Sequence, residues 1–182
     1  MAISHIPIES KTVKSSRSIT DKTETSKSRI IFIGASRFGL NCLKMMKESA
    51  LYNLVGVITA PEIFSISYHP EGVKNVLYAD IKNYCDLNKI NCLTISKGMK
   101  DPELLNKVKD LEPDLFIVAG WYHMVPSNWL KMAPFYGLHA SLLPDYSGGA
   151  PLVWAIINGE KKTGITLFQI ANGIDNGPIL GQ

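Results

Sequence analysis

One histidine and one aspartate in the last quarter of the sequence have the side chains and setting needed to move protons. His139 closes a predicted strand, and Asp175 stands between Gly173 and Gly177. In an open parallel sheet, ligands bind beyond the carboxyl ends of the strands, so we expect the two side chains to share one cleft. A carboxylate beside an imidazole favours the imidazolium, which has two N–H donors. The pair therefore predicts general acid–base chemistry.

Each of these residues also has a purely structural interpretation. A lone histidine is commonly a hydrogen-bonded structural residue, and Asp175-Asn176-Gly177 has a composition typical of a turn. Considered separately, each structural interpretation is the favoured one. The two residues together, within an ordered series of motifs, favour catalysis.

The composition sets the class of protein in which this site must be built. With 182 residues, the chain is long enough for one core and too short for two full enzyme domains. A hydrophobic content of 46% and a charged content of 19% are typical of a soluble globular protein. No apolar run approaches the ~20 residues that span a bilayer, so no membrane is expected. The three cysteines lack the paired spacings of zinc or redox sites, which indicates no metal and a reducing, cytoplasmic location.

Charge and composition divide the chain into two parts. The net charge is only +3, and much of the excess lies in residues 1–28, which are rich in Ser and Thr. We interpret 1–28 as a flexible tail and 29–182 as the single ordered domain. So small a positive charge gives little reason to expect a nucleic-acid groove.

Short apolar strands alternate with helical patterns from Arg29 onward. Predicted strands cover 30–33, 54–58, 91–95, 114–119 and 136–140. A helix is expected after the Gly34–Gly39 turn, where Leu40, Leu43 and Met45 or Met46 recur at helical spacing. Further helices are expected at 77–87, 101–111, 129–132 and 150–158, and 63–72 is expected to be irregular. The alternation predicts an α/β fold with a mostly parallel sheet, right-handed crossovers and flanking helices. The last of these helices is expected to pack four apolar side chains inward, namely Leu152, Val153, Ile156 and Ile157.

The glycine turn from Gly34 to Gly39 has two interpretations. A glycine turn leading into a helix can bind phosphate through backbone N–H groups. This one lacks the middle glycine of the dinucleotide fingerprint and the Lys and Ser/Thr of a P-loop. A tight strand-to-helix turn is the favoured interpretation, and a nucleotide-binding module is kept as an alternative function.

A loop after the fourth predicted strand is rich in flat and soft side chains. It reads Gly120-Trp121-Tyr122-His123-Met124-Val125-Pro126. Such residues suit a pocket for an aromatic ligand. For the loop taken by itself, simple packing against the helix that follows it is the favoured interpretation.

Four motifs occur in one order and at one spacing between Gly137 and Gln182. They are His139-Ala140-Ser141-Leu142-Leu143-Pro144, Tyr146-Ser147-Gly148-Gly149-Ala150-Pro151, Thr163-Gly164-Ile165-Thr166 and Gly173-Ile174-Asp175-Asn176-Gly177-Pro178-Ile179-Leu180. Together they resemble the formyltransferase family that uses 10-formyltetrahydrofolate, which includes enzymes acting on glycinamide ribonucleotide, methionyl-tRNA and nucleotide-linked amino sugars. The resemblance covers 29–182 and implies a single-domain, Rossmann-like formyltransferase fold. It also implies an enzyme that transfers a formyl group from 10-formyltetrahydrofolate to an amine.

The resemblance implies roles for particular residues. His139 would donate a hydrogen bond to the formyl oxygen or act as the acid, and Asp175 would accept a proton through water or set the charge of the histidine. Ten further residues would contact the folate donor: Trp121, His123, Met124, Val125, Ser141, Leu142, Pro144, Ile170, Asn172 and Gly173.

One position departs from the family pattern. The family has an asparagine two residues before the histidine, and this chain has Gly137 there. Losing one such donor typically lowers the rate by about 10²–10³. Asn172, Asn176, Ser141 or a backbone N–H could replace the amide, and the sequence does not choose among them. A second hypothesis is therefore a non-catalytic relative that binds folate or a protein.

The formyl acceptor is predicted by elimination. A methionyl-tRNA enzyme would carry a further C-terminal domain and a basic surface, and the purine-pathway enzyme would carry a serine-asparagine phosphate loop. A nucleotide-linked amino sugar or another small amine is thus the expected partner. A fragment of a methionyl-tRNA or purine-pathway enzyme is the alternative, because the usual C-terminal elements are not seen after Gln182. A homo-oligomer is compatible with the sequence.

Overall fold

The computed structural model describes residues 27–66 and 69–182. The predicted tail, up to residue 26, lies outside the described residues. The strands are β1 (Arg29–Ile33), β2 (Asn53–Thr59), β3 (Ile63–Ile66), β4 (His69–Lys74), β5 (Cys92–Thr94), β6 (Leu115–Ala119), β7 (Phe135–His139), β8 (Thr166–Gln169) and β9 (Ile179–Gly181). The helices are α1 (Arg37–Lys47), α2 (Ile81–Leu87), α3 (Pro102–Lys109) and α4 (Pro151–Ile157). No helix in this described part is long and apolar enough to cross a membrane.

Seven strands form the central sheet in the order β5-β2-β1-β6-β7-β8-β9. The first five in this order are parallel to their neighbours, while β8 and β9 pair antiparallel. The sheet is therefore mostly parallel, as the alternation of strands and helices predicts. From β1, the strands β2 and β5 are added on one side and β6 and β7 on the other, which places the switch point of the sheet beside the Gly34–Gly39 turn.

Strand β1 shows why its sequence is a continuous apolar run. Ile31 and Ile33 pack into one buried cluster with Val108 of α3. Phe32 points to the other side of the sheet and packs with Leu43 of α1. Alternate side chains of a strand point to opposite faces, so a sheet covered by helices on both faces needs apolar residues at every position.

The predicted start of α3 is confirmed in detail. Asp101 is the N-cap, and its carboxylate accepts a hydrogen bond of 3.0 Å from the backbone N–H of Glu103. Pro102 occupies the first helical position, where its missing N–H leaves no hydrogen bond unmade. An aspartate cap of this kind stabilises a helix by about 1 kcal/mol.

The segment 63–72, predicted to be irregular, is largely a β-hairpin. β3 pairs antiparallel with β4 in a separate two-stranded sheet, with Ile63 opposite Lys74. Residues 67–68 between the two strands lie outside the described residues. The prediction was wrong here because a proline and a glycine in the second strand obscured the strand pattern.

Two predicted helices also differ from the structure. The helix expected at 77–87 begins only at Ile81, because Asp80 caps it through a 3.0 Å hydrogen bond from the N–H of Asn83. The helix expected at 129–132 is a turn, in which the N–H of Trp129 bonds to the carbonyl of Pro126. Trp129 is completely buried. The apolar residues of this segment therefore mark packing against the core and do not form the face of a helix.

Helix α4 is oriented differently from the prediction. Four of its side chains were expected to pack inward, but they are exposed by 49% to 71%. The exposed residues are Leu152, Val153, Ile156 and Ile157, and Trp154 is exposed as well. Only Ala155 of this helix is buried. An apolar pattern at helical spacing does not determine which face is covered, and α4 buries a single small side chain.

Candidate functional site

His139 is held at the end of β7 by contacts on both ring nitrogens. Its Nδ1 lies 3.4 Å from a carboxylate oxygen of Asp175, and its Nε2 lies 2.9 Å from the backbone carbonyl of Tyr146. Both of these groups are acceptors, so only the doubly protonated ring can donate to both. The ring is nearly perpendicular to that of Phe168, with the two ring centroids 6.4 Å apart, and the side chain is only 10% exposed.

Asp175 is fixed by its own backbone and by a second loop. Its φ angle is +47°, in the left-handed region that Asp and Asn tolerate better than other side chains. The carboxylate oxygen that faces His139 also accepts a 2.8 Å hydrogen bond from the backbone N–H of Gly148. The loop from Tyr146 to Gly148 therefore contacts both members of the pair, through a carbonyl on one side and an N–H on the other. These residues belong to one of the four motifs, but the motif does not predict that the loop backbone holds the pair.

The two side chains meet for a different reason from the one predicted. His139 lies at the carboxyl end of a parallel strand, but β8 runs antiparallel to β7 and pairs Thr166 with His139. Asp175 follows the other end of β8, where the N–H of Ile170 bonds to the carbonyl of Phe135. The loop after β8 must turn back along the sheet to bring the carboxylate to the histidine.

A buried threonine fixes the loop that follows His139. The hydroxyl of Thr166 donates to the carbonyl of Ser141 at 2.7 Å and accepts from the N–H of Leu143 at 3.0 Å. The side-chain amide of Gln182 donates to the same hydroxyl at 3.0 Å. Thr166 is fully buried, so these bonds are shielded from water. This positioning role was missed, although Thr166 belongs to one of the motifs.

The side-chain space at Gly137 is occupied by apolar neighbours. A Cβ atom there would lie 3.0 Å from the ring of Phe168 and 3.2 Å from Ile170. Phe168 lies directly opposite Gly137 in the pairing of β7 with β8. The place where the family carries its amide is thus packed in this chain.

Two of the proposed replacements for that amide are already engaged. The hydroxyl of Ser141 is fully buried and donates to the carbonyl of Asp145 at 2.6 Å. The amide of Asn176 donates to the carbonyl of Asn172 at 3.1 Å and closes the loop around Asp175. The exposed side chain of Asn172 and backbone N–H groups are the remaining candidates.

The residues predicted to contact folate fall into two groups. Trp121, Val125 and Ile170 are half-buried against the same apolar cluster on one side of the sheet. The ring of His123 lies 5.1 Å from that of Trp121 at a tilt of 56°. Burial lowers the pKa of His123. Met124 is 63% exposed and is available to a ligand.

The other predicted folate contacts lie in the two loops around the His139–Asp175 pair. Leu142, Pro144, Asn172 and Gly173 are exposed. Ser141 is the exception, because its side chain is buried in the loop and would have to move to reach a ligand.

The Gly34–Gly39 turn is closely packed against the end of β6. A Cβ on either glycine would lie 2.5 Å from the carbonyl oxygen of Ala119. The N–H of Ala35 bonds to the carbonyl of Gly120, and the N–H of Gly39 bonds to the hydroxyl of Ser36. These N–H groups are already used within the protein, which favours the tight turn over a phosphate site.

Comparison with known families and proteins gives a consistent result. The model of the family described as "Formyl transferase" matches residues 28–182. The chain is 37% identical over 155 residues to a methionyl-tRNA formyltransferase of Clostridium novyi, covering 84% of this chain and 48% of the relative. It is 39% identical over 158 residues to the methionyl-tRNA formyltransferase of Azobacteroides pseudotrichonymphae, covering 86% of this chain and 47% of the relative. The chain spans about half the length of these curated relatives.

Solved structures share the fold at lower sequence identity. A phosphoribosylglycinamide formyltransferase from Bacillus halodurans superposes with a TM-score of 0.66 at 20% identity, covering 85% of this chain and 78% of that one. A formyltetrahydrofolate deformylase from Pseudomonas syringae superposes with a TM-score of 0.64 at 16% identity, covering 86% of this chain and 50% of that one. At these identities, the likeness establishes the fold.

Proposed function

Because the chain belongs to the formyl transferase family, we propose that it transfers a formyl group from 10-formyltetrahydrofolate to an amine. The observation that carries this proposal is the 3.4 Å contact between His139 and Asp175 within the motifs that resemble the family. The pair lies beneath two loops whose exposed residues can border a ligand.

The reaction needs groups that move protons at two nitrogens. A bond forms between the acceptor nitrogen and the formyl carbon, and the bond from that carbon to the donor nitrogen breaks. One proton leaves the acceptor nitrogen, and one reaches the donor nitrogen. In our proposal, Asp175 orients the imidazole of His139, and His139 turns its Nε2 from the carbonyl of Tyr146 towards the reacting atoms.

The loop after β6 suits the folate donor in shape and polarity. Among the described residues, the indole N–H of Trp121 is buried without a hydrogen-bond partner. Such a donor, beside half-buried apolar groups, can pair with an acceptor atom of a flat ligand. We propose that Trp121, His123, Met124, Val125 and Ile170 hold the pteridine. Leu142, Pro144, Asn172 and Gly173 would border the formyl group, while Ser141 would act only through its backbone.

For the acceptor, we propose methionyl-tRNA in place of the amino sugar. The support is an identity of 37% to 39% with methionyl-tRNA formyltransferases, since no relative named above acts on an amino sugar. We further propose that the chain acts in the cytoplasm. Its three cysteines are free thiols, as in a reducing compartment. Among them, a hydrogen bond with Cys92, together with burial, raises the pKa of Cys85.

The test is a formyl-transfer assay with a labelled donor. The purified chain is offered methionyl-tRNA, a nucleotide-linked amino sugar and glycinamide ribonucleotide in parallel. We expect label on methionyl-tRNA, and a loss of about 10²–10⁴ in kcat for Asp175→Asn. Asparagine tolerates the left-handed backbone and keeps an acceptor for Gly148, so this variant should stay folded.

The matched control is Asp145→Asn, which removes the same charge from an exposed side chain in the neighbouring loop. It should leave kcat within about twofold of the unmodified chain, since a surface substitution away from the pair has little effect. A folded chain that binds a stable folate analogue but labels none of the three acceptors would favour the non-catalytic hypothesis.

A further inference from the structure

Tyr146 has an unusual backbone conformation for a residue with a large side chain. Its φ angle is +53°, in the left-handed region that an aromatic residue rarely adopts. Such a conformation persists only where the surrounding structure holds it. The carbonyl of this same residue lies 2.9 Å from Nε2 of His139. The strained residue is therefore the one that contacts the ring of the histidine.

The phenol of Tyr146 supplies contacts that hold this conformation. Its hydroxyl donates a 2.6 Å hydrogen bond to a carboxylate oxygen of Glu160 and accepts one of 3.2 Å from the side-chain amide of Asn158. A hydrogen bond to a charged carboxylate is stronger than one between neutral groups. The bond to Glu160 also raises the pKa of the Tyr146 hydroxyl, so this hydroxyl keeps its proton and remains a donor at neutral pH.

Glu160 is itself fixed by the way in which α4 ends. Its backbone N–H donates a 3.0 Å hydrogen bond to the carbonyl of Ala155. Between them lies Gly159, whose φ angle of +69° turns the chain out of the helix, as is typical of a helix that ends at glycine. Ala155 is the buried residue of α4. The covered point of a largely exposed helix thus anchors the acceptor of the Tyr146 hydroxyl.

We propose that Tyr146 is a positioning residue for formyl transfer, and that its hydrogen bond to Glu160 sets the place of the loop backbone beside His139. This inference rests on the proposed function, because it concerns the same proton transfers. Two residues after the tyrosine, the N–H of Gly148 bonds to the carboxylate of Asp175 at 2.8 Å. Relaxation of Tyr146 to a negative φ would move its carbonyl and this N–H away from the pair together.

The test compares Tyr146→Phe, which keeps the ring and removes the hydroxyl, with the control Tyr52→Phe. The hydroxyl of Tyr52 donates a 2.8 Å hydrogen bond to the carbonyl of Met46. Tyr52 precedes β2, at the edge of the parallel strands opposite to His139. Both variants lose one hydrogen bond, so both should unfold at a lower temperature. Only Tyr146→Phe should lower kcat for transfer to methionyl-tRNA, by about tenfold, with KM for the donor within about twofold, because it misplaces the groups that move protons.

A second readout does not depend on activity. NMR of the imidazole nitrogens in the unliganded chain reports the surroundings of His139, and these resonances should move in Tyr146→Phe and stay in place in Tyr52→Phe. Unmoved resonances in Tyr146→Phe, or an unchanged kcat in an active chain, would overturn the inference. If the resonances move but the unmodified chain formylates none of the three acceptors, the positioning by Tyr146 is supported and the formyl-transfer proposal fails.

Substitutions of Glu160 test whether the tyrosine acts through this carboxylate. Glu160→Ala should lower kcat as much as Tyr146→Phe does, whereas Glu160→Gln, which retains an acceptor oxygen, should stay within about threefold of the unmodified chain. In Tyr146→Phe/Glu160→Ala, the two losses should not multiply, because both substitutions remove the same hydrogen bond. Losses that multiply to about a hundredfold would show that the two residues act separately, and would overturn the inference.

Discussion

At the scale of single residues, the packing around Gly137 explains how the chain departs from the family pattern. A Cβ atom at this position meets Phe168 at 3.0 Å and Ile170 at 3.2 Å. The glycine is therefore matched to a large neighbour on the opposite strand. A side chain at position 137 therefore requires the ring of Phe168 to move.

We predict that Gly137→Ala lowers the free energy of unfolding by about 1–3 kcal/mol through overpacking. In a Phe168→Leu background, which frees space opposite the glycine, the same change should cost less than half as much. Urea unfolding of the four proteins measures this coupling. If the two substitutions prove additive, Phe168 is not what fills the space, and the missing amide has another explanation.

His123 gives a prediction about pH. Burial lowers its pKa in the folded chain, while its pKa in the unfolded chain is about 6.5. Below that pH, the unfolded chain binds a proton that the folded chain resists. Stability supplied by the neutral ring is thus present above about pH 6.5 and is lost as pH falls towards the folded pKa.

The measurement compares urea unfolding of the chain and of His123→Gln between pH 7.5 and pH 5.5. The unmodified chain should lose stability faster on acidification, by at most about 1.4 kcal/mol for each pH unit. The variant also loses the packing of the ring against Trp121, which lowers its free energy of unfolding by the same amount at every pH. The comparison therefore uses only the slope of the free energy of unfolding against pH. Parallel slopes would show that His123 titrates normally.

At the scale of elements, β8 serves the site by fixing the loop between β7 and α4. Thr166 at its start satisfies the carbonyl of Ser141 and the N–H of Leu143. We predict that Thr166→Val, which keeps the shape and removes the hydroxyl, lowers the free energy of unfolding by about 1–3 kcal/mol. Thermal and urea unfolding both measure the loss.

Thr59 provides the matched control on the same sheet. It is 2% exposed, and within the described residues its hydroxyl has no hydrogen-bond partner. Thr59→Val should therefore be neutral or stabilising, because it removes a buried polar group that gains nothing from folding. Equal losses in the two variants would mean that the hydrogen bonds of Thr166 contribute little.

Local signals in the sequence predicted several elements correctly. The apolar run of β1 and the aspartate and proline before α3 each act within a few neighbouring residues, so the structure follows them closely. The antiparallel direction of β8 depends on pairing with β7, which is not encoded in either strand alone. For this reason, the sequence predicted that His139 and Asp175 lie close together but not the returning loop that joins them. The predicted inward packing of helix α4 was wrong for a related reason. An apolar pattern does not determine which face of a helix is covered by the rest of the chain.

At the scale of the whole molecule, many of the exposed apolar side chains belong to the part of the chain that follows β7. The sheet is buried on both faces from β2 to β7 by two apolar clusters. Beyond β7, the described chain leaves Leu167, Ile179 and Leu180 exposed by 37% to 54%, close to the exposed side chains of α4 in sequence. An apolar surface of this kind is commonly an interaction site or a cause of self-association.

We predict that Ile156→Gln/Ile157→Gln changes the free energy of unfolding by less than about 0.5 kcal/mol for each substitution, since these side chains are 71% and 64% exposed. Light scattering over a concentration series should show less self-association than in the unmodified chain.

Leu104→Ala, which truncates a buried side chain of α3, is the contrasting variant and should lower the free energy of unfolding by about 2–5 kcal/mol. A loss above about 2 kcal/mol in the glutamine variant would mean that α4 contributes to the core. Unchanged scattering would show that any self-association uses another surface. In that case, the apolar side chains of α4 remain exposed without affecting either the fold or the association of the chain.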